Sequence, residues 1–135
     1  MPPTLFHVTL ERINPAQLPA SPAFTQVVVA RGTRTIYVAG QVAPDAREGD
    51  DFADQARAVH ECVRVALDAA GATPADVAKI TTYVVDHRPE LIPVISECRT
   101  ALFGEHRPAS TLVGVAALAR PEFKIEVEAI AVVED

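Results

Sequence analysis

Tryptophan is absent from this chain, and phenylalanine and tyrosine bring the aromatic fraction to only 5% of its 135 residues. The interior must therefore be built from valine, alanine, isoleucine and leucine, because few large rings are available to fill it. Hydrophobic residues make up 49% and charged residues 22%, which is the composition of a globular chain and excludes a disordered one. At this length we expect one domain over residues 1–135.

A surplus of basic residues is also missing. Twelve lysines and arginines stand against eighteen acidic residues, which gives a net charge of −6, and the basic residues form no run. Proteins that hold nucleic acids by neutralising phosphates have the opposite balance. We therefore expect no nucleic-acid partner.

Long apolar runs and an export signal are lacking as well. No stretch approaches the roughly 20 apolar residues of a membrane-spanning helix, and no basic-then-apolar segment opens the chain. We expect no membrane partner and a cytoplasmic location. Cys62 and Cys98 fall in two different predicted helices and are expected as free thiols, to which the sequence assigns no role.

The motifs of metal, phosphate and nucleophile chemistry are missing too. His7, His60, His87 and His106 are scattered without the ligand spacing of a zinc site, and His60 is expected on a solvent-exposed helix face. The chain has neither a glycine-rich phosphate loop nor a nucleophile elbow. We expect no metal and no cofactor.

Apolar periodicity predicts the element order β-β-β-α-β-α-β-β. The predicted strands cover residues 5–13, 25–30, 35–39, 80–85, 110–118 and 122–133. The second and third strands flank Arg31-Gly32-Thr33-Arg34, which predicts a hairpin that turns at Gly32.

Two helices are predicted between these strands. Apolar side chains at three- and four-residue spacing run from Phe52 to Ala70 and end at Gly71, and a second stripe runs from near Pro89 to Gly104. Two helices cover only one face of about six strands, which predicts an α+β fold with one uncovered, apolar sheet face and favours an oligomer. The residues expected on that face are Val27, Val29, Ile36, Val38, Ile130 and Val132.

Charged side chains near the end of the chain are the candidates for chemistry. Strand alternation places Lys124, Glu126 and Glu128 on one face. A partly buried carboxylate can hold or pass a proton near neutral pH, and the alternative is a solvated face whose charges offset one another. Arg107, before the penultimate strand, could bind a substrate carboxylate through two hydrogen bonds or pair with an acidic neighbour such as Glu105.

Several segments together form a further pattern. They are Gly40-Gln41, Gln55-Ala56-Arg57, Ala69-Ala70-Gly71, Pro108-Ala109, the set Val113, Val115, Ala116 and Leu118, and Lys124-Ile125-Glu126-Val127-Glu128-Ala129-Ile130-Ala131-Val132. This pattern resembles the RidA/YjgF family of reactive intermediate deaminases over nearly the whole chain.

The resemblance implies a chorismate-mutase-like fold and a homotrimer. The sheets of three subunits would form a central barrel with the helices outside and clefts between neighbouring subunits. It also implies hydrolysis of 2-iminopropanoate and 2-iminobutanoate to keto acids and ammonia. In that reaction an arginine holds the substrate carboxylate and a glutamate positions the attacking water.

The family's site residues are only partly retained by position. Glu126 aligns with the water-positioning glutamate, but Ser110, in Pro-Ala-Ser-Thr, aligns with the arginine. Phe24 aligns with a cleft tyrosine, Ser96 with an asparagine, and Gly40 lies in a segment whose backbone lines the cleft. A serine cannot supply the charge-assisted contact, which contributes roughly 1.5–3 kcal/mol. The resemblance thus implies a branch that lacks the substrate-clamping arginine.

Three hypotheses follow for the function. The first is a trimer that binds or processes a small metabolite other than the usual 2-imino acids, with Glu126 as the catalytic candidate. The alternative is an imine or enamine deaminase, a hydrolase in which Arg107 takes over carboxylate binding. A second alternative is a non-catalytic regulatory or partner-binding protein. RNA cleavage, described for some relatives, ranks last because of the negative charge.

Overall fold

The computed structural model describes residues 9–134, in which six strands and two α-helices follow the predicted order. The elements are β1 (Thr9–Ile13), β2 (Val27–Arg31), β3 (Arg34–Gln41), α1 (Phe52–Ala69), β4 (Val77–Val85), α2 (Ile92–Phe103), β5 (Ala109–Val115) and β6 (Ile125–Val133). Short 3₁₀ turns at Pro74–Asp76 and Pro89–Leu91 precede β4 and α2. Residues 5–8 of the first predicted strand, and His7, lie outside the described residues.

The strands form two sheets. A four-stranded sheet has the order β3-β6-β4-β5, and β1 and β2 form a separate two-stranded ribbon. Within the larger sheet β6 runs antiparallel to both of its neighbours, whereas β5 runs parallel to β4 at the edge. The α+β fold predicted from the sequence is confirmed, with its six strands divided between a sheet and a ribbon.

The hairpin predicted between β2 and β3 is wrong, because β2 pairs with β1 while β3 pairs with β6. Gly32 does not turn the chain back on itself but packs against the end of β6. A Cβ at position 32 would lie 2.6 Å from Val132 Cγ1 and 2.9 Å from the Val133 carbonyl oxygen. The next amide, Thr33 N–H, donates to that same Val133 oxygen over 3.1 Å. The glycine is therefore required by a close approach to a distant strand.

The ribbon is fastened at its other end to the start of β5. Thr25 forms a parallel bridge with Ala109, and its amide donates to the Pro108 oxygen over 3.3 Å. The buried Thr25 hydroxyl donates to the Arg107 oxygen over 2.5 Å. The segment from Thr25 to Gly32 thus spans from the β5 edge of the sheet to β6.

Helix α1 forms where its apolar stripe and its end signals predict it. The Asp51 side chain caps the first turn by accepting from the Ala53 amide over 3.3 Å, and Gly71, with φ of 79°, follows the end. Its fully buried side chains pack on the apolar face of β6. Those residues are Ala56, Val59, Val63 and Leu67 of α1 and Ile125, Val127 and Ala131 of β6.

The second face of the sheet is more polar than predicted. Val38 is buried and Ile36 packs against the helix-side core, so the prediction that both lie on the uncovered face is wrong. The register of β3 on β6 instead turns Tyr37 to the uncovered face beside Ile130, and 76% of Tyr37 is exposed. No helix within residues 9–134 is long and apolar enough to cross a membrane.

Candidate functional site

A cavity of about 280 Å³ lies between α2 and the first half of β5. Its polar lining consists of Ser96, Arg99, Thr100, His106, Arg107 and Ser110. Most of the remaining wall is apolar and comes from Ile80, Ile92, Ile95, Phe103, Leu112 and Pro22. None of the described residues that line this cavity is acidic.

The register of the sheet explains why Ser110 meets the helix. Ser110 pairs with the fully buried Ile80 of β4, and neighbouring residues in register share a sheet face. Ser96 and Arg99 are three residues apart on α2 and therefore project in the same direction. Three of the residues singled out from the sequence, Ser96, Arg107 and Ser110, are brought together in this cavity.

Arg107 uses most of its donors on the backbone. Its Nε donates to the Pro22 oxygen over 3.0 Å, and its Nη1 donates to the Gly104 and His106 oxygens over 2.5 and 3.1 Å. The described part of the chain provides no salt bridge between Arg107 and Glu105 or any other carboxylate. Nη2 makes no hydrogen bond to the described residues and is the one nitrogen that remains for a ligand.

Arg99 belongs to the same cavity, although no sequence motif pointed to it. Its Nη2 donates to the Thr82 hydroxyl over 2.9 Å, while its Nε is buried and finds no acceptor among the described residues. Burial lowers the pKa of the guanidinium from its ordinary value. One signal could have revealed it, because Arg99 lies four residues after Ile95 and three before Leu102, within the apolar stripe of α2.

His106 joins the cavity wall to the ribbon. Its buried ring donates from Nε2 to the Val77 oxygen over 2.7 Å and accepts at Nδ1 from Arg12 Nη2 over 2.7 Å. Burial is the main cause that lowers the pKa of His106, and the positive charge of Arg12 acts in the same direction. These bonds require the neutral imidazole, because Nδ1 must keep its lone pair.

The prediction that His60 lies on a solvent-exposed helix face is wrong. α2 packs over this side of α1, and only 4% of His60 is exposed. Its Nδ1 donates to the Ala56 oxygen over 2.7 Å, its Nε2 has no partner among the described residues, and burial lowers its pKa. Residues 9–134 contain no group of three histidine, cysteine or acidic side chains placed to hold a metal ion.

The two cysteines lie on different helices, as predicted. Cys62 on α1 is half-buried and Cys98 on α2 is buried, and both are free thiols. Burial raises the pKa of each thiol, so neither has the lowered pKa of a reactive cysteine.

Glu126 lies on the opposite face of the sheet from Ser110. It pairs across strands with Tyr83, whose hydroxyl donates to the neighbouring carboxylate of Glu128. A side chain at position 40 would overlap with the Glu126 carboxylate, so Gly40 leaves the space that this carboxylate occupies. The structure therefore brings Glu126 and Gly40 together, but a single chain does not bring Glu126 to Ser110.

Phe24 lies in a groove next to the cavity. This groove is formed with Asn14, Thr25 and Glu105, and it shares His106 and Arg107 with the cavity wall. Phe24 is half-buried there and does not line the main cavity.

A family model described as Endoribonuclease L-PSP matches residues 15–133, nearly the whole described chain. The chain belongs to the RidA/YjgF family. This RidA-family chain is 36% identical over 100 residues to a RutC family protein of Pyrococcus horikoshii, covering 71% of this chain and 77% of that protein. It is 35% identical over 103 residues to a 2-iminobutanoate/2-iminopropanoate deaminase of Salmonella typhimurium, covering 72% and 78%.

Solved structures agree with this assignment. A Rid-family protein of Yersinia pestis superposes with a TM-score of 0.84 at 37% identity, covering 92% of this chain and 98% of that one. RidA from the Antarctic bacterium Psychrobacter gives a TM-score of 0.66 at 29% identity, covering 91% and 99%.

Proposed function

We propose that this RidA-family chain forms a homotrimer whose inter-subunit clefts bind or process a small metabolite. The observation that carries the proposal is the cavity between α2 and β5, where Ser96, Arg107 and Ser110 meet above an apolar floor. Small-molecule sites commonly combine an apolar lining with a few convergent polar groups. The proposal places the ligand in this cavity.

The position of Glu126 gives a physical reason for a second subunit. Because Glu126 and Ser110 lie on opposite faces of one sheet, a cleft that contains both must draw them from two copies of the chain. In the proposed trimer the uncovered face of one subunit contributes Glu126 beside the cavity of its neighbour. Glu126 would then position an attacking water, and Phe24 and Gly40 would shape the cleft.

The exposed apolar groups of the uncovered face support association. Tyr37 is 76% exposed and Ile130 is 36% exposed, and the two lie side by side on β3 and β6. Surface of this kind is buried at low cost against a second copy.

The assembly is tested by light scattering after gel filtration. We expect three times the chain mass of 14.4 kDa for the wild type and a smaller particle for Ile130→Asp. Val65, 53% exposed on the outer side of α1, gives a matched control, since Val65→Asp should remain trimeric. A monomeric wild type would remove both the trimer and the shared cleft.

Ligand binding is tested by soaking crystals of the trimer with a panel of small carboxylic acids and amines. We expect electron density between α2 and β5 of one subunit and Glu126 of its neighbour. Absence of density in every cleft would count against the proposal.

Imine deamination is the second candidate, favoured because Arg107 lines the cavity beside Ser110 and because relatives at 35% identity are named 2-iminobutanoate/2-iminopropanoate deaminases. In this reading Arg107 binds the substrate carboxylate through Nη2. An amino-acid oxidase generates the imines, and release of keto acid is followed with and without the protein. If deamination is the function, the wild type accelerates this release, Arg107→Ala abolishes the acceleration, and Arg88→Ala, at an exposed site outside the cavity, retains it. No acceleration by the wild type would eliminate deamination.

A further inference from the structure

The cavity between α2 and β5 carries positive charge that no described carboxylate of the same subunit neutralises. Two guanidinium groups, Arg99 and Arg107, line it, and no described acidic side chain does. Neither arginine forms a salt bridge within the described residues, whereas exposed arginines such as Arg57 and Arg64 pair with carboxylates one turn away. A partly buried cation without a counter-ion in its own subunit is costly, and an anionic ligand would offset that cost, since the proposed function assigns the neighbour's Glu126 to the attacking water.

Of the two arginines, Arg99 retains the larger capacity to bind an anion. Arg107 commits its Nε and Nη1 to three backbone oxygens. Arg99 makes one hydrogen bond, from Nη2 to Thr82, which leaves the second hydrogen of Nη2 and both hydrogens of Nη1. Nη1 and Nη2 can therefore each donate a hydrogen bond to one oxygen of the same carboxylate.

The other residues that line the cavity restrict the polarity and the charge of a ligand. The isoleucine, leucine and phenylalanine side chains of the wall suit a short apolar chain. Arg99, Thr100 and Phe103 come from the C-terminal half of α2, where the negative end of the helix dipole disfavours anions, and a dianion such as phosphate more strongly than a monoanion. A single negative charge on a small organic molecule meets both conditions.

We propose that Arg99 is the arginine with which this chain binds the carboxylate of its ligand, in place of the arginine that is absent at Ser110. The inference rests on the proposed function, because it assigns a binding residue of the same cleft. Arg99 of α2 thus supplies, across the same cavity, the positive charge that β5 lacks at Ser110.

The test uses pairs of probes that differ in charge alone. Butanoate, 2-oxobutanoate, the neutral butanamide and inorganic phosphate are titrated into the full chain at pH 7, and binding is followed by ligand-observed NMR. We expect the two carboxylates to bind the wild type at least about tenfold more tightly than butanamide or phosphate, the gain typical of charge-assisted hydrogen bonds.

Variants test whether Arg99 is responsible for the preference for carboxylates. Arg99→Gln should reduce the preference for butanoate over butanamide to less than about threefold, and Arg99→Lys should restore part of it. Arg107→Gln should retain most of the preference, and Arg88→Gln, outside the cavity, all of it. Circular-dichroism melts establish that each variant is folded, and Arg99→Lys keeps the test decisive if Arg99→Gln does not fold.

Several results would overturn the inference. Loss of the preference in Arg107→Gln but not in Arg99→Gln would move carboxylate binding to Arg107 and leave the proposed function in place. Equal binding of butanamide and butanoate, or stronger binding of phosphate, would also refute the role of Arg99 while leaving a ligand-binding cleft. If no probe binds the wild type, the inference is wrong, and the trimer and crystal-soaking experiments decide the proposed function separately.

Discussion

Replacing Arg99 and Thr82 together by apolar residues should stabilise the protein. Arg99 has a buried Nε without an acceptor among the described residues, and its only hydrogen bond there goes to the fully buried Thr82 hydroxyl. The double variant Arg99→Met/Thr82→Val keeps similar volumes and removes both polar partners at once. When both partners of a buried hydrogen bond become apolar, the change is nearly neutral or stabilising.

The expected change in the free energy of unfolding follows from the polar groups that the double variant removes. An unsatisfied buried donor costs roughly 1–3 kcal/mol, and a neutral hydrogen bond contributes a net stabilisation of about 0.5–1.5 kcal/mol. Removing the orphaned Nε and the desolvated charge should therefore outweigh the lost bond to Thr82. We expect a free energy of unfolding about 1 kcal/mol higher than that of the wild type. Thr82→Val alone should lower it by about 1 kcal/mol, because a second nitrogen of Arg99 is then left without a partner.

Urea unfolding at one protein concentration measures these differences and keeps any oligomer equilibrium fixed. The same samples are titrated with butanoate, for which the double variant should lose affinity while it gains stability. A double variant that is less stable than the wild type by more than about 1 kcal/mol would contradict the reasoning. Arg99 would then be a structural residue whose packing matters more than its charge.

Three further predictions concern other parts of the molecule. Gly40→Ala should push the flexible end of the Glu126 side chain off its preferred rotamer and destabilise the chain by only about 0.5–1.5 kcal/mol in urea, and adding Glu126→Ala should restore most of the loss; a double variant no more stable than Gly40→Ala would refute the overlap. Because the folded-state pKa of His106 lies below its ordinary 6.5, the unfolded chain binds the proton more readily. Stability should therefore fall as the pH drops below about 6.5, with a smaller slope in His106→Gln; equal slopes in urea titrations from pH 7 to 5 would contradict this. The raised thiol pKa of Cys98 and its burial should make it react with iodoacetamide more slowly than free cysteine at pH 7, as mass spectrometry would reveal.

The features that local signals determine could be predicted from the sequence. Helix α1 follows from its apolar stripe and from Gly71, both of which act within a few residues. The alternation of β6 correctly placed Glu126 and Glu128 on one face, opposite the buried Ile125 and Val127. The α+β class followed from the order of the elements and from the family pattern.

The features that depend on distant packing could not be predicted. Gly32 and its neighbours have the composition of a turn. Only the approach of Gly32 to β6, a hundred residues later, shows that the ribbon and β3 diverge. His60 is buried because α2 covers it, a contact that the periodicity of α1 alone does not reveal. Arg99 became a candidate only when the structure showed that no described carboxylate pairs with it.

The two parts of the candidate site are held in place to different degrees, because β6 lies in the interior of the sheet. Glu126 lies on a strand held by hydrogen bonds on both sides, between β3 and β4, whereas the cavity is walled by an edge strand and by the loop that contains Pro22. Substitutions in that loop can change the shape of the mouth without removing a sheet hydrogen bond. Ligand preference can therefore diverge among relatives while the strand that carries Glu126 stays unchanged.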